Sequence, residues 1–271
     1  MNLKQIYQLG LKHIKSKSDV LILMKKIFGS DRLYISMYGE KEENQKKINL
    51  FLENIETLKK GYPIQYLVEN VEFLDLSLKV GPGVFIPRPE TEILAKSIVD
   101  YLGENFSGNI IDLCSGSGCI PVYLKSKIHN SNVWAIEKSE EAFKYLKENC
   151  KNYDINLILG DIFDQKFEDE SFDVIVSNPP YIKSNDVKFL DKNIQFEPLC
   201  ALDGGTDGLD FYRKIVKNWV SKLKAGGILA FELGIFQYNE VSNIMVKNNF
   251  KDIEIIKDFS NIERVIIGTK N

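Results

Sequence analysis

The spacing of apolar residues changes twice along this 271-residue chain. Over residues 1 to about 62 it is helical. Leu3, Ile6, Tyr7, Leu9 and Ile14 recur at that spacing, as do Val20, Leu21, Leu23, Met24, Ile27 and Phe28. Gly29-Ser30-Asp31 stops one helix and can cap the next. A further pattern runs from about Glu42 to Lys60 and ends before Gly61 and Pro63. These residues predict a small helical bundle over 1–62. From Ile64 to Val84 the period falls toward two. Leu74, Leu76, Leu78 and Val80 alternate with Asp75, Ser77 and Lys79. With Gln65-Tyr66-Leu67-Val68 ahead of them, residues 63–84 predict a β-hairpin linking two domains.

Residues 85–271 alternate between short apolar runs and helical patterns. Asn109 to Leu113, Asn132 to Glu137, Ile155 to Leu159 and Phe172 to Ser177 predict strands. A long insertion follows, Ile182 to Leu209, and then a helix from about Phe211 to Leu223. Ala225-Gly226-Gly227 predicts a turn into the strand Ile228 to Glu232. Ile253 to Ile256 and Arg264 to Ile267 are spaced as a hairpin, so one late strand runs antiparallel to the rest. This alternation predicts an α/β fold, a doubly wound sheet with helices on both faces.

Composition narrows the function classes without choosing one. The formal net charge is -3, and residues 81–271 are the more acidic part, which argues against bulk nucleic-acid binding. No apolar run approaches the roughly 20 residues of a membrane span. No secretory signal is legible, and the four cysteines lack zinc-ligand spacing. A cytoplasmic protein without a metal site is expected.

Candidate chemistry collects at strand ends. In doubly wound sheets ligands bind beyond the carboxyl ends of the strands, where strand order reverses. Cys114-Ser115-Gly116-Ser117-Gly118 follows the first strand, with glycines that permit close backbone approach. Glu137 ends the second strand, 19 residues after Gly118, placed to accept ribose hydroxyls. Asp161 follows the third and can accept from an adenine amine. Pro121 stands where a dinucleotide fingerprint has its third glycine, which argues against a pyrophosphate cofactor. A nucleoside cofactor without a phosphate loop fits S-adenosylmethionine better than NAD. The fourth strand runs into Asn178-Pro179-Pro180-Tyr181. Alone, that is the signature of a strand-ending turn, because proline cannot donate to a ladder. Beside a nucleoside site it becomes a candidate holder for a planar nitrogen.

Several motifs carry a family resemblance. Ile111 to Ile120 resembles the first motif of class I S-adenosylmethionine-dependent methyltransferases, whose sheet is Rossmann-like. Asn178-Pro179-Pro180-Tyr181 resembles the motif of methylases acting on planar nitrogens. Phe85-Ile86-Pro87-Arg88-Pro89-Glu90-Thr91-Glu92 and Glu197 to Leu209 narrow the resemblance to the HemK/PrmC family of protein-glutamine methyltransferases. Glu232-Leu233-Gly234 and Arg264 to Gly268 also match. The resemblance implies transfer from S-adenosylmethionine, leaving S-adenosylhomocysteine, to the Gly-Gly-Gln glutamine of class 1 peptide chain release factors. It implies that Cys114, Ser115, Gly116, Ser117, Gly118, Glu137, Asp161, Ile162 and Asn178 line the cofactor. Asn178, Pro179, Pro180 and Tyr181 would hold the glutamine, with Phe85 and Arg88 bordering the same pocket; the alternative for Arg88 is a brace of its loop through a surface ion pair. Asn178, Pro179 and Tyr181 are the expected catalytic residues. Residues 1–62 are the expected substrate-recognition domain, and 85–271 the methyltransferase domain. A monomer is expected, with no stable nucleic-acid or membrane partner. Two positions depart from the family pattern: the ribose acid is Glu137 rather than Asp, and Ile162 stands where an aromatic is common. The alternatives are glutamine methylation of a ribosomal protein, exocyclic-amine methylation of a base, and a non-catalytic binding module.

Overall fold

The computed structural model describes residues 1–271, which divide into two compact units. One comprises Met1–Asn70 with Asp191–Phe196, the other Val71–Leu190 with Glu197–Asn271.

The first unit is helical: α1 (Leu3–His13), α2 (Lys17–Phe28), α3 (Arg32–Tyr38), α4 (Gln45–Lys59) and α5 (Ile64–Val68). Asn2, Ser16, Asp31 and Asn44 cap the first four, each accepting a backbone N–H that the helix start leaves free. Leu3, Ile6, Val20, Leu23, Met24, Ile48, Phe51 and Ile55 form its core. Burying each contributes about 1.5–3 kcal/mol. Helix α5 corrects the expected hairpin. Gln65 to Val68 is helical, and Ile64 and Val68, one turn apart, join the helical core. Buried Ile64, Tyr66 and Val68 fit period two as well as a short helix, so the pattern could not separate them. The hairpin itself is shorter, β1 (Asn70–Phe73) and β2 (Leu76–Lys79). Its turn lies at Leu74 and Asp75, with Leu74 left-handed at φ +53°, inside the alternation that suggested a strand. Residues 191–196 of the insertion belong to this unit, although the sequence placed them in 85–271. The Phe196 ring meets Tyr62 edge-on at 5.2 Å.

The second unit contains a seven-stranded sheet in the order β5-β4-β3-β6-β7-β9-β8. The strands are β3 (Asn109–Leu113), β4 (Asn132–Glu137), β5 (Ile155–Leu159), β6 (Phe172–Ser177), β7 (Leu223–Glu232), β8 (Phe250–Lys257) and β9 (Glu263–Lys270). Strands β3 to β7 are parallel, and β9 runs antiparallel between β7 and β8, as expected. Helices α6 (Pro89–Leu102), α7 (Cys119–Lys127), α8 (Glu140–Cys150), α9 (Asp210–Trp219) and α10 (Tyr238–Val246) complete the unit. Separate buried clusters cover the two sheet faces, one including Ile110, Val174 and Ala230, the other Ile111, Ile175 and Leu229. Strand β7 corrects a boundary. Its pairing jumps from Phe172↔Leu223 to Val174↔Ile228, so Ala225-Gly226-Gly227 is an irregularity within a ten-residue strand. Gly226 carries it at φ +74°. No helix is long and apolar enough to cross a membrane.

Candidate active site

Strand order reverses between β3 and β6, so the chain opens a crevice beyond their carboxyl ends. Register decides which residues meet there. Leu113 pairs with Ser177, and Ser177 with Phe231. One residue on, Cys114, Asn178 and Glu232 therefore leave neighbouring strands at the same level. A cavity of about 900 Å³ lies over Cys114 and Asn178, while Glu232 is buried behind Thr91 and Tyr181 of its wall. Its wall includes Phe85, Cys114, Ser115, Gly116, Ser117, Glu137, Asp161, Ile162, Asn178, Pro180 and Tyr181.

One half of the cavity is built from turns. Cys114 and Gly116 are left-handed, at φ +67° and +54°, which curls the loop after β3 and leaves the space beside Gly116 open. Glu137 holds that loop. Its carboxylate accepts from the Gly116 N–H at 2.8 Å and from the Ser139 N–H at 2.7 Å. Burial raises the Glu137 carboxyl above its ordinary range, against these N–H groups. Asp161 accepts from the Phe163 N–H at 2.9 Å and from Lys138 Nζ at 2.8 Å. Burial raises its carboxyl, but the Lys138 and Phe163 hydrogen bonds outweigh it and leave it below the usual range. Ile162 is buried, and beside it Phe163 and Phe211 lie 6.1 Å apart in the same wall. The aromatic contribution missing at Ile162 is thus supplied one residue later and from α9. This donor set fits S-adenosylmethionine: a carboxylate for ribose, an acid between aliphatic and aromatic walls for adenine, and an open glycine loop. Below the loop, the wholly buried Asp112 carboxyl has no hydrogen-bond partner, and burial raises it far above its ordinary range.

The other half is built from side chains on separate elements. Asn178 donates from Nδ2 to Thr91 Oγ1 at 3.1 Å. Thr91, in the first turn of α6, donates in turn to Glu232 Oε2 at 2.6 Å. Tyr181 donates from its hydroxyl to Glu232 Oε1 at 3.2 Å. Thr91 and Glu232 are each 1% exposed. Burial pushes the Glu232 carboxyl up to about 7, although Thr91 and Tyr181 both favour its charged form.

The loops behind this half are tightly braced. Arg88 pairs with Glu197, whose other oxygen accepts from the Ile86 N–H at 3.0 Å. The Arg88 guanidinium also lies 4.7 Å from the centre of the Phe85 ring. Ile182 exchanges backbone hydrogen bonds with the segment Leu202 to Gly204. A Cβ on Gly204 would stand 2.7 Å from the Pro180 carbonyl oxygen, and one on Gly208, at φ +79°, 2.4 Å from that of Tyr181. The double-glycine motif therefore lets the insertion lie directly against Asn178 to Tyr181. Gln237 finishes the brace by donating to the Tyr181 carbonyl at 2.9 Å.

Most of the residues expected from sequence meet at one cavity, and three do not form its wall. Gly118 caps α7 at φ +85°, and a Cβ there would meet Leu146 at 2.7 Å, so its role is close packing. Arg88 is turned to Glu197; it holds the Phe85 loop rather than facing the cavity, and the pair is half-sheltered, not a surface one. Pro179 is buried outside the wall. Sequence reasoning missed Thr91 and gave Glu232 no role. The available signal was an acid closing the apolar run Ile228 to Phe231.

Known proteins agree with this architecture. The family model described as "Methyltransferase small domain" matches residues 75–194, and that described as "PrmC N-terminal domain" matches 11–68. A release factor glutamine methyltransferase of Clostridium acetobutylicum is 35% identical over 258 residues, 93% of this chain and 90% of that protein. One of Thermodesulfovibrio yellowstonii is 38% identical over 88% of this chain and 87% of its own length. A methyltransferase from Pyrococcus furiosus shares the fold, with a TM-score of 0.56 at 19% identity, covering 81% of this chain and 98% of its own. The chain belongs to the release factor glutamine methyltransferase family, and it is an S-adenosylmethionine-dependent enzyme.

Proposed function

We propose that this protein transfers the methyl group of S-adenosylmethionine to the side-chain amide nitrogen of the Gly-Gly-Gln glutamine in class 1 peptide chain release factors. The observation that carries this reading is the Asn178 amide beside the cofactor half of the cavity. Its Nδ2 is committed to Thr91, so its oxygen is left as an acceptor. A glutamine amide nitrogen is a poor nucleophile because its lone pair is delocalised. The bound cofactor supplies an activated methyl. What remains for the protein is to hold the reacting atoms in line at near-attack distance. In this reading the Asn178 side-chain oxygen and the Pro179 carbonyl accept the two amide hydrogens. That orients the nitrogen and stabilises the positive charge growing on it. The Pro179 part is carried by its backbone, which is consistent with a side chain outside the cavity wall. Tyr181 and Phe85 pack against the aliphatic part of the glutamine. Glu137 takes the ribose hydroxyls, Asp161 the adenine amine, and Ser115, Gly116 and Ser117 the backbone-facing side of the cofactor.

Labelled cofactor offered separately to a release factor, ribosomal proteins and DNA tests the substrate. Label is expected on the release factor; label on ribosomal protein or DNA alone contradicts the reading. The helical residues 1–62 are proposed to contact the release factor away from the reacting glutamine, where remote binding energy positions the reacting group. Deleting them is expected to raise KM for the intact factor, and an unchanged KM contradicts the role. The enzyme is proposed to work as a cytoplasmic monomer.

A further inference from the structure

We propose that Glu232 is a positioning residue: as a carboxylate it accepts the one hydrogen bond that the Thr91 hydroxyl can donate, which obliges Thr91 to accept from Asn178 and so turns the Asn178 oxygen to the substrate. The inference rests on the role given to Asn178 and adds what controls that role.

Donors and acceptors decide which way the amide sits. A side-chain amide can sit in two orientations that exchange its oxygen and nitrogen, and only its neighbours choose between them. Asn178 has Thr91 as its side-chain neighbour here, at 3.1 Å. A threonine hydroxyl has one proton and accepts as readily as it donates, so by itself it chooses neither orientation. Glu232 breaks that symmetry. An ionised carboxylate only accepts, and its Oε2 lies 2.6 Å from Thr91 Oγ1, so the Thr91 proton points at Glu232. The lone pairs of Thr91 then face Asn178, and only the amide NH2 group satisfies them. The other carboxylate oxygen is also an acceptor, for the Tyr181 hydroxyl. One buried carboxylate thus sets the direction of three linked hydrogen bonds, Thr91 to Glu232, Asn178 to Thr91 and Tyr181 to Glu232.

Protonation undoes the selection. A carboxyl O–H can donate to Thr91, which frees the Thr91 proton for the Asn178 oxygen. Both amide orientations are then satisfied, and the wrong one aims an NH2 group at the amide hydrogens of the substrate. The change falls near neutral pH, because burial lifts this carboxyl to about 7. Facing it from α7 is the buried Cys119 thiol, which burial holds protonated and the Glu232 charge keeps so. From α6 come Thr91 and the like charge of Glu90, which favours the proton. From β9 comes Arg264, which opposes it but is itself held by Asp258 at 2.9 Å and Glu90 at 3.6 Å. From the Asn178 loop comes Tyr181, and from α9 Tyr212, whose hydroxyl is spent on the Glu232 backbone carbonyl at 2.8 Å. None of them forms an ion pair with Glu232. Deprotonation is required, so turnover falls as pH drops through about 7.

The test is kcat against pH for the full-length wild type, E232Q, T91V, T91S and N178A. Cofactor and release factor are kept saturating, and the cofactor Kd is measured on each protein. The wild type is expected to lose turnover on the acid side. E232Q, which cannot ionise, is expected to be slower with no acid limb. T91V is expected to lower kcat about 10- to 100-fold with cofactor Kd within about threefold. T91S, which keeps the hydroxyl, is expected to restore both the rate and the acid limb. A purely structural role for Thr91 or Glu232 would move Tm without moving the pH profile. Wild-type kcat in T91V, or an unchanged acid limb in E232Q, overturns the inference while an inactive N178A leaves the role of Asn178 standing. An active N178A overturns both.

Discussion

The two halves of the cavity are made in different ways. On the cofactor side the contacts span short separations. Glu137 accepts from the Ser139 N–H two residues on and from the Gly116 N–H 21 residues back, and Asp161 accepts from the Phe163 N–H two residues on and from Lys138 23 residues back. On the substrate side almost nothing is local. Asn178 reaches Thr91 across 87 residues of sequence, and Thr91 reaches Glu232 across 141. Local turns suffice to bind a ligand that only needs holding. Directing one hydrogen-bond acceptor at a weak nucleophile takes a network in which every proton has a fixed place. A substitution on one side is therefore expected to affect binding, and on the other the chemical step.

The largest expected effect is on the brace behind the substrate half. Arg88→Met leaves the Glu197 side chain, 1% exposed, charged and unpaired. Loss of one partner of such a pair costs about 3–5 kcal/mol of stability, read as a lower denaturation midpoint. A midpoint equal to wild type would return Arg88 to the role of a cavity residue. Next is Asn178→Ala, expected to lower single-turnover transfer about 100- to 1,000-fold, with cofactor Kd within about threefold. If rate and affinity fall together, the two halves are not separable. Glu137→Ala should act in the opposite sense. It removes the proposed ribose acceptor and frees the Gly116 N–H, so cofactor affinity should weaken about 10- to 100-fold while the rate at saturation changes less. Equilibrium titration with the cofactor measures it, and unchanged affinity would remove Glu137 from the site.

The same contrast governs what was legible in the chain. Strand ends could be read because β–α alternation repeats, each strand stops at a recognisable turn, and the fold places all those stops at one crevice. Glu137, Asp161 and Asn178 followed from that rule. Thr91 could not be found in this way. In sequence it is a good residue in a helix start, two residues after Pro89 and between two glutamates that suit the helix dipole. Only the register of β6 and β7 brings Glu232 beside Asn178. Of the two readings of Arg88 the structure shows the ion-pair brace, and its partner could not be named for a related reason, since Glu197 lies 109 residues away. The segment Ile64–Val68 failed on length. In five residues helical and strand patterns coincide, and the helical core decided the outcome.

In the proposed function the substrate half reads the two hydrogens of an amide rather than supplying an acid or a base. The most direct measurement is single-turnover transfer to a release factor in which the glutamine of Gly-Gly-Gln is replaced by glutamate. Glutamate is nearly the same shape, offers a better nucleophilic oxygen and has no N–H to present. The expected result is transfer to the glutamine factor and none above background to the glutamate factor. Formation of a glutamate methyl ester at a comparable rate would show that Asn178 and Pro179 do not select the amide, and would contradict the account.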